Sequence, residues 1–413
     1  MHTSPLAQPG HGDAGGMNVY IGQLSRALAR TGVRVEAFTL LTAPPEDADP
    51  SLPAARSTGV SPGYTVHELY LPEAAGAGKE AMAELTGAFG RACAERVRGG
   101  LPAPDVIHAH YWLSGRAAES YREALGEPVD DVGSSRTGSA GPRGIPLVAV
   151  LHTSAMVKNL SAGPAEPPEP ASRVRGEREV IRSAAALIVN TEAEAAQMAS
   201  LYGADPARTR VIPPGVDAAV FRPGPPRPAD GRFRVLFAGR PQPLKGPEIL
   251  LRAVALARPA VPGIELEIRG TAGERYLAEL AALARELGID DVVRFYPATT
   301  SADLAEAFRR ADVVACPSSS ETFGLVALEA QACGAVVLGS DVTGLRAALD
   351  DGRAGLLVPR REPDAWARAL GEAAAAPALR KRLSAAAVAH AHGLTWDDAA
   401  RRTVRVYEDL LNG

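Results

Sequence analysis

Two doubly wound α/β domains, each a parallel sheet covered by helices and facing a shared cleft, are the fold class this sequence predicts. Three observations carry it. Short β-branched runs alternate with amphipathic helical stretches from Val33 to Val358, the rhythm of strand–helix–strand units. A segment rich in proline and glycine, Phe221–Gly231 (FRPGPPRPADG), breaks that rhythm near the middle. The 413 residues, 46% of them apolar, are enough for two cores.

In chain order, the predicted strands of the first half are Val33–Leu40, Val106–His108, Pro146–Leu151, Leu187–Asn190 and Val211–Pro213. Those of the second half are Arg234–Ala238, Ile264–Ile268, Val292–Phe295, Val313–Cys316, Val336–Gly339 and Gly355–Val358. Most are short apolar runs without alternation, as expected where both sheet faces are covered. The first helix is Met17–Arg30, in which Tyr20, Leu24 and Leu28 recur every four residues and share one face. Further helices are predicted at Pro247–Ala257, Arg275–Leu287, Leu325–Cys333 and Asp364–Ala375. The division expected is residues 1–220, residues 221–394, and a last helix, Trp396–Leu411, after a Gly-Leu-Thr break, which packs back across the joint. Glu127–Gly144 and the proline-rich Ala162–Ser172 are predicted to be surface loops.

One element is out of place. A doubly wound domain opens with a buried strand before its first glycine loop. Here MHTSPLAQP precedes that loop, too polar and proline-rich for such a strand, so the expectation is that the first strand is missing.

Charge and cysteine content exclude several classes. With 44 basic and 48 acidic residues the net charge is −4, without the basic surplus a nucleic-acid binder needs. No apolar run approaches the roughly 20 residues of a membrane helix, and the first residues lack the pattern of a secretory signal. Three cysteines, Cys93, Cys316 and Cys333, are far apart and odd in number, so neither a disulfide framework nor a metal knuckle is indicated and a cytoplasmic location is expected.

Four constellations bear chemistry. Gly10-His11-Gly12-Asp13-Ala14-Gly15-Gly16 opens the first helix, where glycines admit a ligand and a helix start attracts phosphate. Gly10, Gly12 and Gly15 also fit G-x-G-x-x-G, which alone also suits a nicotinamide enzyme. Arg240 and Lys245, in FAGRPQPLKG after a predicted strand, set two cations at the carboxyl edge of a sheet, yet form no Walker loop. Glu321 and Glu329 make an E-x7-E pair on a loop and the following helix; they suit hydroxyl binding better than a glycosidase pair about one scissile bond. His108 and His110 alternate along a strand and share a side, and His152 ends another; no third ligand makes them a metal site. His390 and His392, near a helix end, are expected to face solvent.

Together the blocks HTSPLAQPGHGDAGGMNVYI, HAHYWLSG, HTSAMVKN, LIVNT, VIPPGVD, FAGRPQPLKGPEILLRAVA and PSSSETFGLVALEAQACGAVV resemble the retaining GT-B glycosyltransferases over nearly the whole chain. The R-x4-K and E-x7-E loops are general to that family of two Rossmann-like domains. DAGGMNVY, HYWLSG and HT-x4-KN are more specific, and point to members whose acceptor is a phosphorylated cyclitol.

The resemblance implies transfer from a UDP-sugar, UDP-N-acetylglucosamine, to 1D-myo-inositol 3-phosphate. On the donor side it assigns Arg240 and Lys245 to the diphosphate, Glu329 to the ribose, Glu321 and His152 to the reacting sugar, and Gly16 to a phosphate through its N–H. On the acceptor side it assigns Asn18, Lys79, Tyr111, Thr153 and Arg173, with His2 and Asp13 at the pocket from the opening block. It implies front-face attack with no carboxylate nucleophile. No metal or other cofactor is required, though a Mg2+ ion and a homodimer are left open. Two departures stand out: IRGTAGER (Ile268–Arg275) replaces the usual glycine-rich donor loop, and Thr299 occupies a position that is often basic. They keep open another cyclitol acceptor, or a silent sugar-nucleotide-binding relative.

Overall fold

The computed structural model describes residues 1, 3–8, 14–78, 81–126, 144–161, 167–225 and 230–413. The first half starts with α1 (Gly16–Arg30), whose Tyr20, Leu24 and Leu28 are buried as their spacing predicts. Next come β1 (Val35–Leu41), β2 (Ala54–Ser61), β3 (Tyr64–Tyr70), α2 (Thr86–Arg98), β4 (Ile107–His110), α3 (Trp112–Leu125) and β5 (Leu147–Val150). Then follow α4 (Ala155–Ser161), α5 (Ala171–Ser183), β6 (Ala186–Val189), α6 (Glu192–Gln197) and β7 (Thr209–Val211). These strands form two sheets: a four-stranded one, β4-β5-β6-β7, all parallel, and a three-stranded one, β1-β3-β2.

The second half contains β8 (Phe233–Ala238), α7 (Pro247–Ala257), β9 (Ile264–Arg269), α8 (Glu274–Glu286), β10 (Val293–Tyr296), α9 (Ser301–Arg310) and β11 (Val313–Cys316). It continues with α10 (Leu325–Ala332), β12 (Val336–Ser340), α11 (Thr343–Ala348), β13 (Leu356–Val358), α12 (Pro363–Ala375) and α13 (Pro377–His392). Its six strands are all parallel, in the order β10-β9-β8-β11-β12-β13. Counted from β8 this is 3-2-1-4-5-6, the doubly wound order. The order reverses between β8 and β11, so the loops after these two strands open a crevice at their carboxyl ends.

The last helix, α14 (Trp396–Asn412), is capped by Thr395, whose Oγ1 accepts from the Asp398 N–H at 3.1 Å. It returns to the first half: Trp396, Ala399 and Ala400 share a core with Tyr20 and Leu24 of α1, and Arg30 pairs with Asp397 at 2.5 Å.

Four local expectations need correction. β2 runs antiparallel to β3 and was not foreseen; its exposed, polar residues give little sign of pairing. The strand expected at Val211–Pro213 lies at Thr209–Val211, since Pro213 and Pro214 have no N–H for a ladder. α5 begins at Ala171, inside the segment expected to be a loop; Pro170 immediately before it suits a helix start. His390 is half-buried with its Nε2 shielded from solvent, whereas His392 is exposed.

Candidate active site

The crevice is assembled from strand ends and helix starts of both halves. On the second-half side, the loop after β8 carries Arg240 and ends in a single helical turn, Pro243–Lys245. Gly246 follows with φ of +69°, a conformation glycine adopts without strain, and a Cβ there would sit 2.6 Å from the Pro317 oxygen. The loop after β11 carries Glu321 and leads into α10, which bears Glu329. Lys245 Nζ pairs with Glu321 Oε1, which also accepts from Ser318 Oγ at 2.9 Å. Arg361 pins the two loops together, donating from Nε to the Pro317 oxygen at 3.1 Å and from Nη2 to the Pro243 oxygen at 3.2 Å. Sequence reasoning missed Arg361, which stands in no recognisable pattern.

The first half meets these loops directly. Arg240 Nη2 lies 3.5 Å from the Ala14 oxygen, and a Cβ on Gly15 would be 3.4 Å from that nitrogen. A Cβ on Gly16, the first residue of α1, would be 3.7 Å from Leu325, the first residue of α10. Two helix amino ends therefore converge beside Arg240 and Lys245, an arrangement that attracts anions. Thr322 Oγ1 donates to the His152 main-chain oxygen at 2.5 Å, and Gln23 Nε2 to Asp217 Oδ2 at 3.4 Å, tying α1 to the segment that joins the halves. Thr322 and Asp217 lie within blocks the sequence singled out, but nothing in the pattern marks them individually.

Glu329 has its pKa pushed up to about 8, first by burial and then by the like charge of Asp217. A cavity of about 420 Å³ borders Arg240; Thr271, Ala272 and Gly273 of the IRGTAGER loop line it. Thr299, in the basic position of the resemblance, donates from Oγ1 to Asp303 Oδ2 at 3.0 Å.

The histidines form a row. His108 and His110 rings stack at 4.4 Å, His110 Nδ1 lies 2.9 Å from His152 Nε2, and His108 Nδ1 lies 2.6 Å from the Tyr407 hydroxyl. Burial drives the His108 pKa down to about 4 and that of His152 to about 3. All three are therefore neutral near pH 7. His152 has a φ of +62° and Tyr111 a φ of +74°, sparsely populated conformations for such side chains. Both are strand-end residues at the crevice.

Next to His152 is a buried charged cluster. Arg173 of α5 donates from Nη2 to Thr153 Oγ1 at 2.9 Å and from Nε to Glu177 Oε1 at 2.8 Å, and its Nη1 pairs with Glu169 Oε2 at 2.8 Å. Its guanidinium carbon lies 5.1 Å from the centre of the Tyr111 ring. Glu169 also receives Lys158 Nζ at 2.6 Å. Burial disfavours a charge on Glu169, yet the Lys158 hydrogen bond and Arg173 outweigh it and hold its pKa low. Thr153, Tyr111 and Arg173, far apart in the chain, are thus brought together; Lys158 and Glu169 were not foreseen beside them.

Asn18 is used differently from a free ligand contact. Its Oδ1 accepts from the Gly15 N–H at 3.0 Å, and its Nδ2 donates to Thr3 Oγ1 at 2.8 Å and the Ser4 oxygen at 2.7 Å. It ties Gly15 and the Thr3–Ser4 segment to the start of α1. His2, Asp13 and Lys79 lie outside the described residues, as does all but the last residue of Glu127–Gly144. Among the described residues no group of three or more His, Cys, Asp or Glu side chains is placed to hold a metal ion. No helix among them is long and apolar enough to cross a membrane.

Comparison with known proteins agrees with this architecture. Residues 15–215 match the glycosyl transferase 4-like domain and residues 221–390 the family of glycosyl transferases group 1. The chain is 42% identical to the D-inositol 3-phosphate glycosyltransferase of Actinosynnema mirum, over 98% of this chain and 95% of that one. It is likewise 42% identical to that of Streptomyces scabiei, over 100% and 90%. Among solved structures, sucrose-phosphate synthase from Thermosynechococcus elongatus superposes with a TM-score of 0.84 at 27% identity, covering 100% of this chain and 98% of the other. The Anabaena protein HepE in complex with UDP and glucose shares the fold, with a TM-score of 0.68 at 19% identity over 98% of both chains.

Proposed function

This chain belongs to the D-inositol 3-phosphate glycosyltransferases among the group 1 glycosyl transferases, and from that membership we propose that it moves N-acetylglucosamine from UDP-N-acetylglucosamine to 1D-myo-inositol 3-phosphate, the first step of mycothiol biosynthesis. The observation that carries the reading is one crevice with arginine and lysine side chains on both sides, each now held by a carboxylate or carbonyl that a phosphate could replace. Arg240, Lys245 and two helix amino ends line one wall; Arg173, set by Thr153 over Tyr111, lines the other, one residue from the Thr322–His152 tie. On this reading residues 1–220 receive the acceptor, residues 221–394 the donor, and the helix after residue 394 braces the first part.

Arg240 and Lys245 neutralise the diphosphate, and the Gly16 N–H adds a dipole. These fixed charges favour the transition state, in which the departing UDP gains negative charge, over the ground state. Lys245 exchanges its Glu321 partner for phosphate oxygen, which frees Glu321 to accept from a sugar hydroxyl. Glu329 accepts from the ribose hydroxyls, and the cavity beside Arg240 takes the nucleoside. His152 presents its strained backbone and neutral ring to the sugar. Arg173 and Lys79 hold the acceptor phosphate, Tyr111 and Thr153 lie beside the ring, and Asn18, His2 and Asp13 are acceptor residues by the same resemblance. The acceptor oxygen then bonds to the anomeric carbon as the bond to UDP breaks on the same face. Its proton passes to a leaving phosphate oxygen. Closure of the crevice keeps water from the same attack.

Mass spectrometry of the products from a panel of UDP-sugars and cyclitols tests this. N-acetylglucosaminyl-inositol phosphate is expected, formed from UDP-N-acetylglucosamine. Equal turnover of unphosphorylated inositol would overturn the acceptor assignment. Product from a different cyclitol alone would favour the reading that the altered IRGTAGER loop keeps open.

A further inference from the structure

Glu177 of α5 is 0% exposed, the deepest carboxylate among the described residues, and no step of the proposed transfer uses it. Its depth has a local cause. α5 meets α3 through two glycines: a Cβ on Gly176 would lie 2.4 Å from a ring carbon of Trp112, and one on Gly115 would lie 2.4 Å from Val180. The helices close to contact there, and the face of α5 that carries Arg173 and, one turn on, Glu177 is drawn inward. A carboxylate out of water persists only where donors surround it. Oε1 accepts from Arg173 Nε at 2.8 Å; Oε2 accepts from the Ala155 N–H at 3.0 Å and from the Tyr202 hydroxyl.

Tyr202 extends the grip. Its hydroxyl oxygen accepts from Ser154 Oγ at 3.0 Å and from the Met156 N–H at 3.0 Å. Residues 154–156 therefore hang on Glu177 and Tyr202, directly after the strained His152 and Thr153. Arg173 closes the loop by donating from Nη2 to the Thr153 oxygen at 3.1 Å as well as to Thr153 Oγ1. Two of its three nitrogens are thus committed to the interior. The third, Nη1, meets Glu169, whose side chain is 21% exposed.

We propose that Glu177, backed by Tyr202, is a positioning residue for the acceptor: it holds Arg173 by Nε so that Nη1 alone faces the acceptor phosphate, and it fixes the turn that presents Thr153. This rests on the functional reading above, which puts Arg173 on that phosphate. Glu169 and Glu177 then differ in kind. Glu169 occupies the nitrogen that the phosphate takes, whereas Glu177 occupies one that the phosphate never reaches. The guanidinium is required for its shape as well as its charge, since a lysine ammonium is a single point.

The test measures KM for acceptor and for UDP-sugar, with the melting temperature, in the parent, Glu177→Gln, Tyr202→Phe and Arg173→Lys. The acceptor is the cyclitol that the parent turns over. Glu177→Gln keeps the size and removes the charge. It is expected to raise acceptor KM roughly tenfold or more, as for loss of a hydrogen bond to a charged group, and to leave UDP-sugar KM within about twofold. Tyr202→Phe removes one donor from the carboxylate and should raise acceptor KM about threefold, so the proposal stays testable if Glu177→Gln does not fold. Arg173→Lys should match Arg173→Ala within about threefold, because one ammonium cannot serve Glu177 and the phosphate together. A melting temperature that falls while both KM values move alike, or neither moves, would overturn the proposal. So would a lysine that restores the parent's acceptor KM. In both cases turnover of inositol 3-phosphate by the parent leaves the functional reading standing. Turnover of another cyclitol phosphate, with the expected shifts, overturns that reading and supports the role of Glu177; turnover of unphosphorylated cyclitol alone overturns both.

Discussion

Thr322 Oγ1 donates to the main-chain oxygen of His152 at 2.5 Å, so the loop carrying Glu321 is bonded to the strand end that presents His152 and Thr153. On the proposed reading this bond holds the donor wall against the acceptor wall without using either side chain assigned to substrate. Thr322→Val removes it and keeps the shape. A hydrogen bond is worth about 0.5–1.5 kcal/mol, so kcat is expected to fall roughly 2- to 12-fold. The fraction of UDP released without acceptor should rise, since a looser crevice admits water. Initial rates of UDP release with and without acceptor measure both, and an unchanged ratio would deny the bond this role.

With Glu329 assigned to the ribose, UDP-sugar binding and stability are expected to respond to pH in opposite senses. Its carboxyl has a pKa of about 8 in the folded protein against 4.5 when unperturbed. Below 4.5 both states are protonated and the residue costs nothing. Between 4.5 and 8 the unfolded chain loses its proton first, so stability declines with rising pH until the folded group ionises as well. The melting temperature of the parent is expected to drop more from pH 6 to 9 than that of Glu329→Gln. UDP affinity should move the other way, rising over this range in the parent alone, because the ionised carboxylate is the better acceptor for ribose hydroxyls. Calorimetric titration at three pH values checks it.

The histidine row acts at the acid end. His108 and His152 have folded pKa values of about 4 and about 3, below the ordinary 6.5. The unfolded chain therefore takes up protons first as pH falls below 6.5, and the native state loses stability until the folded rings titrate too. His108→Phe is expected to flatten the melting temperature between pH 6.5 and 4. It also deprives Tyr407 of its partner, which lowers stability at every pH, so the slope is the readout rather than the height. An unaltered slope would show that His108 does not drive acid unfolding.

What could be read in advance follows the physics of each feature. The parallel strands were legible because burial on both faces leaves uninterrupted apolar runs such as Val313–Cys316, which has the predicted boundaries. The β2–β3 hairpin was not, because an exposed edge strand such as Ala54–Ser61 places few constraints on its side chains. Arg240, Lys245, Glu321 and Thr153 stood out through their blocks. Arg361 and Glu169 did not, because each acts through partners that folding brings near: Arg361 bonds the Pro317 and Pro243 oxygens and Glu169 meets Lys158 and Arg173.

Glu169 yields the most direct test of the acceptor wall. Its carboxylate lies 2.6 Å from Lys158 Nζ and 2.8 Å from Arg173 Nη1, and so presents to two cations the oxygens an acceptor phosphate would present. If the phosphate binds there, it must displace Glu169 or accept its repulsion. Glu169→Gln keeps the size and removes the charge, so KM for the phosphorylated acceptor is expected to fall several-fold. KM for the UDP-sugar should stay as it was. Arg173→Ala should do the reverse on the acceptor side, raising its KM roughly 10- to 100-fold, as expected for loss of a charged hydrogen bond worth about 1.5–3 kcal/mol. The double substitution separates competition from scaffolding. If Glu169 competes with phosphate for Arg173, its removal brings little further benefit once Arg173 is gone. If Glu169 merely braces α5, Glu169→Gln lowers the melting temperature and leaves acceptor KM untouched, and the phosphate must then bind elsewhere on this wall.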